Sequence, residues 1–282
     1  MYRTQMCLGT SKRFGISIAD QITLFHETGF EAYFVNWERG MDLAEIKAHG
    51  DSLGMILQSV HAPFTNSAKM WQDDATLAAE AVEELLECVT ACSGIQAPIM
   101  VCHAFIGFRD HTPTPVGIEN YRKVVCKAEE LGVKIAFENT EGEEYLAALM
   151  DAFRCYENVG FCWDTGHELC YNRSQDMLAL YGDRLLCTHL NDNLGIKDYY
   201  GNITYKDDLH LLPFDGVADW QGIVKRLNRH HYHGILTFEL SKNNKYRHEN
   251  DVYDEMTVER YVCEAYKRAC RVAMMKMMAE RD

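Results

Sequence analysis

Six ionisable residues stand at the ends of short apolar runs. They are His61 after "LQSV", His103 after "IMVC", Glu138 after "IAF", Asp164 after "GFCW", His189 after "LLCT" and Glu239 after "ILTF". A carboxylate or imidazole at a buried strand end needs a partner, because desolvating it alone is costly. Six such ends could share one partner, a divalent cation. Imidazole and carboxylate together suit Zn²⁺, Mn²⁺, Co²⁺ or Fe²⁺ better than Ca²⁺, which prefers oxygen alone. Three more residues join the set: His167, just past Asp164, and Asp208 with His210 in the D-x-H of "DDLHLLPFDG". Nine donors exceed what one ion requires, so one or more ions of Zn²⁺, Mn²⁺, Co²⁺ or Mg²⁺ are expected.

These residues can act together only if their strands bring the ends to one place. Apolar runs fall at 5–8, 30–35, 55–60, 98–102, 133–137, 159–163, 185–188 and 234–238. Helical patterns lie between them at 17–28, 41–53, 74–93, 117–131, 143–155, 174–181 and 219–229, and a last one spans about 256–279. Gly29, Gly54, Gly94 and Gly132 sit where helices should stop. Strand–helix alternation argues for a parallel sheet, and eight units argue for a single (β/α)8 barrel over residues 1–282. An open doubly wound sheet is the runner-up, but "LGTSKRFG" after the first run matches its phosphate loop poorly. In a barrel all six strand ends point into the functional mouth. His230, His231 and His233 precede the last strand and belong to the opposite face, where a surface role is expected.

Composition narrows the function. The chain has 282 residues, 47% hydrophobic and 25% charged, with net charge −14. That acidity argues against gripping nucleic-acid phosphates. No apolar run approaches the roughly 20 residues that span a bilayer. The first residues lack the apolar core of a signal peptide, and the 11 cysteines follow no metal or disulfide spacing. A cytoplasmic enzyme is expected.

The motifs "HAPF", "FENTEG", "WDTGH", "HLNDN", "DDLH" and "GILTFEL" resemble those of the xylose-isomerase-like barrel superfamily along essentially the whole chain. That superfamily joins sugar and sugar-phosphate isomerases and epimerases to endonuclease IV. The resemblance implies a catalytic metal held by Glu138, Asp164, His189 and Glu239. It also implies that the two glutamates act as the acid/base pair, with His167 and Glu144 touching substrate. In endonuclease IV all nine positions, including His61, His103, His167, Asp208 and His210, hold three zinc ions. Two positions depart from the ketose epimerases. Gly195 replaces an arginine, leaving Lys197 as the nearest cation, and Phe214-Asp215-Gly216 replaces a Gly-acid-Gly turn. Both concern the substrate rather than the metal.

Other residues offer weaker signals. Lys12 and Arg13 follow the first strand and could hold a phosphate or carboxylate. Phe64 and Trp71 offer an apolar wall for a sugar ring. Four methionines in "RVAMMKMMAERD" fit either packing or a homo-oligomer contact.

The expected activity is a divalent-metal-dependent sugar or sugar-phosphate isomerase or epimerase, with proton transfer through a metal-stabilised enediolate. Two carboxylates facing each other across one carbon are what inversion needs. An endonuclease IV-like multi-metal phosphodiesterase is the alternative. A non-catalytic, metal-containing sugar-binding barrel ranks last, because a structural metal site is normally closed.

Overall fold

The computed structural model describes residues 4–109, 112–196, 202–243 and 252–280. Its strands are β1 Met6–Gly9, β2 Ala32–Asn36, β3 Ile56–His61, β4 Ile99–His103, β5 Lys134–Glu138, β6 Val159–Asp164, β7 Leu185–His189 and β8 Leu236–Phe238. They form one sheet in the order β7-β6-β5-β4-β3-β2-β1-β8. Every registered pair is parallel. The seam between β7 and β8 closes where Leu190 N donates to Thr237 O at 2.8 Å and Glu239 N donates to Leu190 O at 3.2 Å. The eight-stranded (β/α)8 barrel is therefore present.

A two-residue period decides which side chains enter the barrel. Met100 and Cys102, Ile135 and Phe137, and Phe161 and Trp163 join the large core between sheet and helices. Their alternates Val101, Ala136, Cys162 and Cys187 form a small cluster inside the barrel. Two residues beyond those four stand His103, Glu138, Asp164 and His189. The ionisable ring is thus the top inward layer, resting on small apolar residues. Cys7, Ala32 and Phe34 continue the inner packing on the other side. Gly9 makes room there, since a Cβ would collide with the Phe34 ring.

The helices are α1 Ile18–Thr28, α2 Leu43–Ser52, α3 Ala75–Gly94, α4 Pro115–Glu130, α5 Glu143–Ala152, α6 Thr165–Cys170, α7 Met177–Tyr181, α8 Trp220–Arg229 and α9 Val258–Ala279. All of these except α5 start on a Ser, Thr or Asp whose side chain accepts a first-turn N–H.

Several boundaries shift by one to three residues from the sequence reading, and three differences have a visible local cause. Residues 165–167, outside every helical pattern of the sequence, open helix α6, because the Asp164 carboxylate accepts from His167 N at 2.6 Å. Arg173 and Ser174 take left-handed φ of 54° and 59°, so α7 starts only at Met177. Gly94 does not stop α3; the left-handed residue is Gln96, at φ 57°.

All 11 cysteines are free. No helix among the described residues is long and apolar enough to cross a membrane. In α9, Met275 packs against the core while Met274 and Met278 are exposed.

Candidate metal centre

Glu138 is the hub. It is fully buried at the end of β5, and four imidazoles surround its carboxylate. Oε2 lies 3.2 Å from His61 Nε2 and 3.3 Å from His103 Nε2. Oε1 lies 3.0 Å from His189 Nδ1 and 3.5 Å from His167 Nδ1. Glu239 Oε2 approaches the same His189 nitrogen at 3.2 Å. Asp208 Oδ2 sits 2.9 Å from His210 Nε2 and 3.4 Å from His167 Nε2.

All nine expected donors therefore share one mouth. They fall into three adjoining groups, His61–His103–Glu138, Glu138–Asp164–His189–Glu239 and His167–Asp208–His210, with donor atoms of each group within 4.8 Å of one another. Glu138 is common to the first two. Buried His103 Nδ1 and His189 Nε2 have no hydrogen-bond partner among the described residues. So many imidazoles and carboxylates in so small a space fit a divalent cation well.

Without an ion, protons take over its charge. Burial would raise the Glu138 carboxyl, but His189, His103 and His61 hold it well below its ordinary range. Burial disfavours protonated His189 and His167, yet the facing carboxylates push both well above an ordinary imidazole. His210 rises to about 9, because Asp208 and Glu239 outweigh burial. Glu239 falls to about 2, because His189 and His210 outweigh burial. Asp208 falls well below the carboxylate range for the same kind of reason, with His210 and His167 opposing burial. Burial prevails at Asp164, whose carboxyl rises to about 6, and at His103, which is lowered.

A supporting layer aims these groups. Asn139 accepts from Asp164 N and donates to Asp164 O, both at 2.8 Å. Asn191 donates to Asp164 Oδ2 at 2.8 Å, and Gly166 lacks a Cβ where one would strike that carboxamide. Asp192 accepts from Asn193 N, Phe214 N, Ala218 N and the Trp220 indole at 2.8–3.0 Å. Those bonds pin the loop that carries Asp208 and His210, the latter at a left-handed φ of 46°. Glu168, next to His167, accepts from Trp163 Nε1 and Arg226 Nη2, each at 2.8 Å. Arg226 also lies over the Trp163 ring, 4.6 Å from its centroid. Phe34 stacks on His189 at 4.9 Å, Tyr171 on His167 at 4.9 Å and Phe64 on His103 at 4.5 Å.

Sequence reasoning passes over Phe34, Tyr171, Glu168 and Arg226. Asn139, Asn191 and Asp192 lie inside the quoted motifs, and a polar residue beside a strand-end ligand is the available signal for them. Nothing in the chain links Arg226 to Trp163.

Two clefts of about 710 Å³ flank the centre. One runs over the β1–β3 loops and is lined by Lys12, Arg13, His61 and Phe64. The other runs over the β4–β7 loops and is lined by Arg109, Glu144, Tyr171 and Arg173. Lys12 reaches the first cleft but is ion-paired to Glu38 at 2.5 Å. Trp71 is not a wall of the centre. It is 4% exposed, donates its indole N–H to Ala104 O at 2.8 Å, and packs on Tyr145 beneath a separate depression. Lys197 lies outside the described residues.

Residues 18–256 match the family described as Xylose isomerase-like TIM barrel, and the chain belongs to that family. A relative, "Uncharacterized protein y4fM" of Sinorhizobium fredii (strain NBRC 101917 / NGR234), is 29% identical over 263 residues, covering 86% of this chain and 78% of its own. Solved structures share the fold at low identity. An L-ribulose 3-epimerase superposes with TM-score 0.74 at 15% identity, covering 100% of this chain and 96% of that one. The IOLI protein with a binding zinc atom gives 0.73 at 15%, covering 95% and 98%. A xylose isomerase-like TIM barrel/4-hydroxyphenylpyruvate dioxygenase fusion protein gives 0.73 at 13%; the match covers 98% of this chain and 44% of that one.

Proposed function

We propose, from membership in this family, that the barrel is a divalent-metal-dependent isomerase or epimerase of sugars or sugar phosphates. The observation that carries the reading is that Glu138 and Glu239 belong to one donor group with Asp164 and His189, at an open mouth. Asp164, His189 and the two glutamates would hold the ion. When bound, a divalent ion there polarises neighbouring carbonyl and hydroxyl oxygens and eases loss of the proton between them.

The protein supplies the proton traffic. Glu239 is 23% exposed at the side chain and Glu138 is 0%, so Glu239 meets substrate first and Glu138 serves the face turned to the barrel floor. Both carboxylates meet at His189 Nδ1, which fixes their positions relative to each other. Tyr171 and Phe64 stack on His167 and His103 and help to fix those rings. A solved structure of the same fold is an L-ribulose 3-epimerase, and inversion of a carbon beside a carbonyl is chemistry that suits this pair of acids.

A second reading rests on the three adjoining donor groups. With one ion and neutral imidazoles, the four carboxylates leave the mouth negative, so any anionic group of the substrate has to be held away from it. With three ions the mouth turns positive, which suits a phosphodiester and a metal-assisted hydrolase.

Metal analysis and solvent exchange separate the two. The isomerase reading expects deuterium from D₂O beside the carbonyl of L-ribulose, D-psicose or D-tagatose, in a protein loaded with its metal. Three tightly held ions, no exchange, and cleavage of an abasic-site duplex would overturn it in favour of the hydrolase.

A further inference from the structure

The two clefts beside the centre differ in charge. The β4–β7 cleft is lined by Arg109 and Arg173 against Glu141, Glu143 and Glu144. The β1–β3 cleft is lined by Lys12, Arg13 and Arg39 against Glu38 and Glu84, an excess of one positive charge in a chain of net charge −14. Within that cleft Lys12 is paired with Glu38, and Arg39 with Glu87 at 2.7 Å. Arg13 has no carboxylate partner among the described residues.

Arg13 is nonetheless held in place. Its Nη1 donates to Ser241 Oγ at 2.8 Å, two residues beyond Glu239, and its carbonyl accepts from Asn243 Nδ2 at 3.2 Å. Ser11 accepts from Arg13 N at 3.2 Å. The guanidinium is therefore tied to the seam between β1 and β8, beside the strand end that carries Glu239. Among the described residues its remaining N–H donors are uncommitted, and a planar fork of this kind suits oxyanions. Barrel enzymes often hold phosphate near the last strands. The cleft that contains Arg13 also reaches His61 of the centre, and its 710 Å³ lies in the range of small-molecule sites.

We propose that the substrate carries an anionic group at the end remote from the reacting carbon, and that Arg13 is the residue that selects it. Lys12 adds charge once its pairing with Glu38 loosens around the ligand. Ser241 is a positioning residue that aims the guanidinium. This deepens the isomerase reading and rests on it. The shared chemistry is an oxyanion, either a phosphate monoester or a terminal carboxylate.

The test compares D-fructose, D-fructose 6-phosphate and D-fructuronate on the metal-loaded full chain, following deuterium exchange and, separately, binding by calorimetry. Wild type should favour one of the two anionic ketoses, and which one names the oxyanion. Arg13→Ala should raise KM for that ketose relative to D-fructose by about 10- to 100-fold, the range of a lost charge-assisted hydrogen bond. The change should fall on KM rather than kcat, because the contact is the same in ground and transition states. Arg13→Lys should restore part of the preference, Arg13→Glu should reverse it, and Ser241→Ala should give a smaller loss. Equal KM values for all three ketoses, or a preference that survives Arg13→Ala and Arg13→Glu, overturns the proposal. If no ketose exchanges, the isomerase reading fails, and calorimetry still decides on Arg13. D-fructose 6-phosphate or D-fructuronate binding more weakly to Arg13→Ala than to wild type supports the anion site, and equal binding overturns it.

Discussion

At one end of the barrel His189 is buried between the carboxylates of Glu138 and Glu239, 3.0 and 3.2 Å from its Nδ1. At the other end His230 meets, among the described residues, a single carboxylate, that of Asp183, whose side chain is 98% exposed, at 3.3 Å. His231 and His233 beside it are exposed. A tract of three histidines looks more like a metal site in sequence than six residues scattered over 179 positions from His61 to Glu239. The structure reverses that impression. Carboxylates, low dielectric and convergence are what a cation site needs, and among the described residues the C-terminal ends of the strands supply all three.

The largest effect is expected at Glu138, which touches four imidazoles. Glu138→Gln should abolish metal loading, measured by elemental analysis, and cut proton exchange by at least the ~10²-fold of lost acid–base catalysis. Glu239→Gln should cut exchange comparably while keeping part of the metal, because Asp164 and His189 remain. Full metal content in Glu138→Gln would remove Glu138 from the hub.

Next comes the brace behind His167. Arg226→Ala takes the cation from buried Glu168, which keeps its bonds from Trp163 and Met177, and should cost about 1–3 kcal/mol. Urea denaturation should show that loss. If the midpoint does not move, the brace has no such role.

The pH response sharpens the comparison with a change of sign. The His210 imidazole, raised from 6.5 to about 9, stabilises the metal-free fold fully below pH 6.5, and that contribution is lost as pH rises through 9. It amounts to ~3 kcal/mol at most. Glu239, lowered from 4.5 to about 2, acts oppositely: its contribution is present above pH 4.5 and lost as pH falls through 2. Asp164, raised from 3.8 to about 6, favours the fold below 3.8 and ceases to above 6. Metal binding needs unprotonated imidazoles, so affinity should climb over the same interval in which metal-free stability falls. Thermal melts with and without metal from pH 6.5 to 9 should therefore diverge. Parallel curves would show that the imidazoles do not hold the ion.

The smallest effect belongs to the opposite end. His231→Asn, which tolerates the left-handed φ of 52°, and His233→Gln should leave metal content unchanged and shift stability by under ~0.5 kcal/mol. A lost ion in either variant would mean that this face binds metal after all.

Strand positions are legible because each apolar run is bounded locally by turn residues and helix caps such as Ser17, Asp74 and Thr114. The inward ring is legible for a similar reason. Glu138 follows Ala136, and Asp164 follows Cys162, by the two-residue period that sends both into the barrel. What escapes are contacts across elements. Distance from His61 along the chain places Trp71 near the centre, yet the turn Ser67–Trp71 swings it under Tyr145 and gives its N–H to Ala104. Short helix α6 is hidden because Gly166 reads as a turn residue, while Asp164 reads as a ligand before it reads as a cap.

Taken alone, then, the sequence determined the eight units, the end of each strand and the chemical type of every group in the ring, since these follow from local periodicity and side-chain chemistry. Closure of the barrel decided the rest. It put Glu138 within reach of four imidazoles from β3, β4, α6 and β7, set Arg226 over Trp163, and tied Arg13 to Ser241 across the β1–β8 seam. Such pairings depend on how distant segments meet in space, and no spacing along the chain encodes that distance.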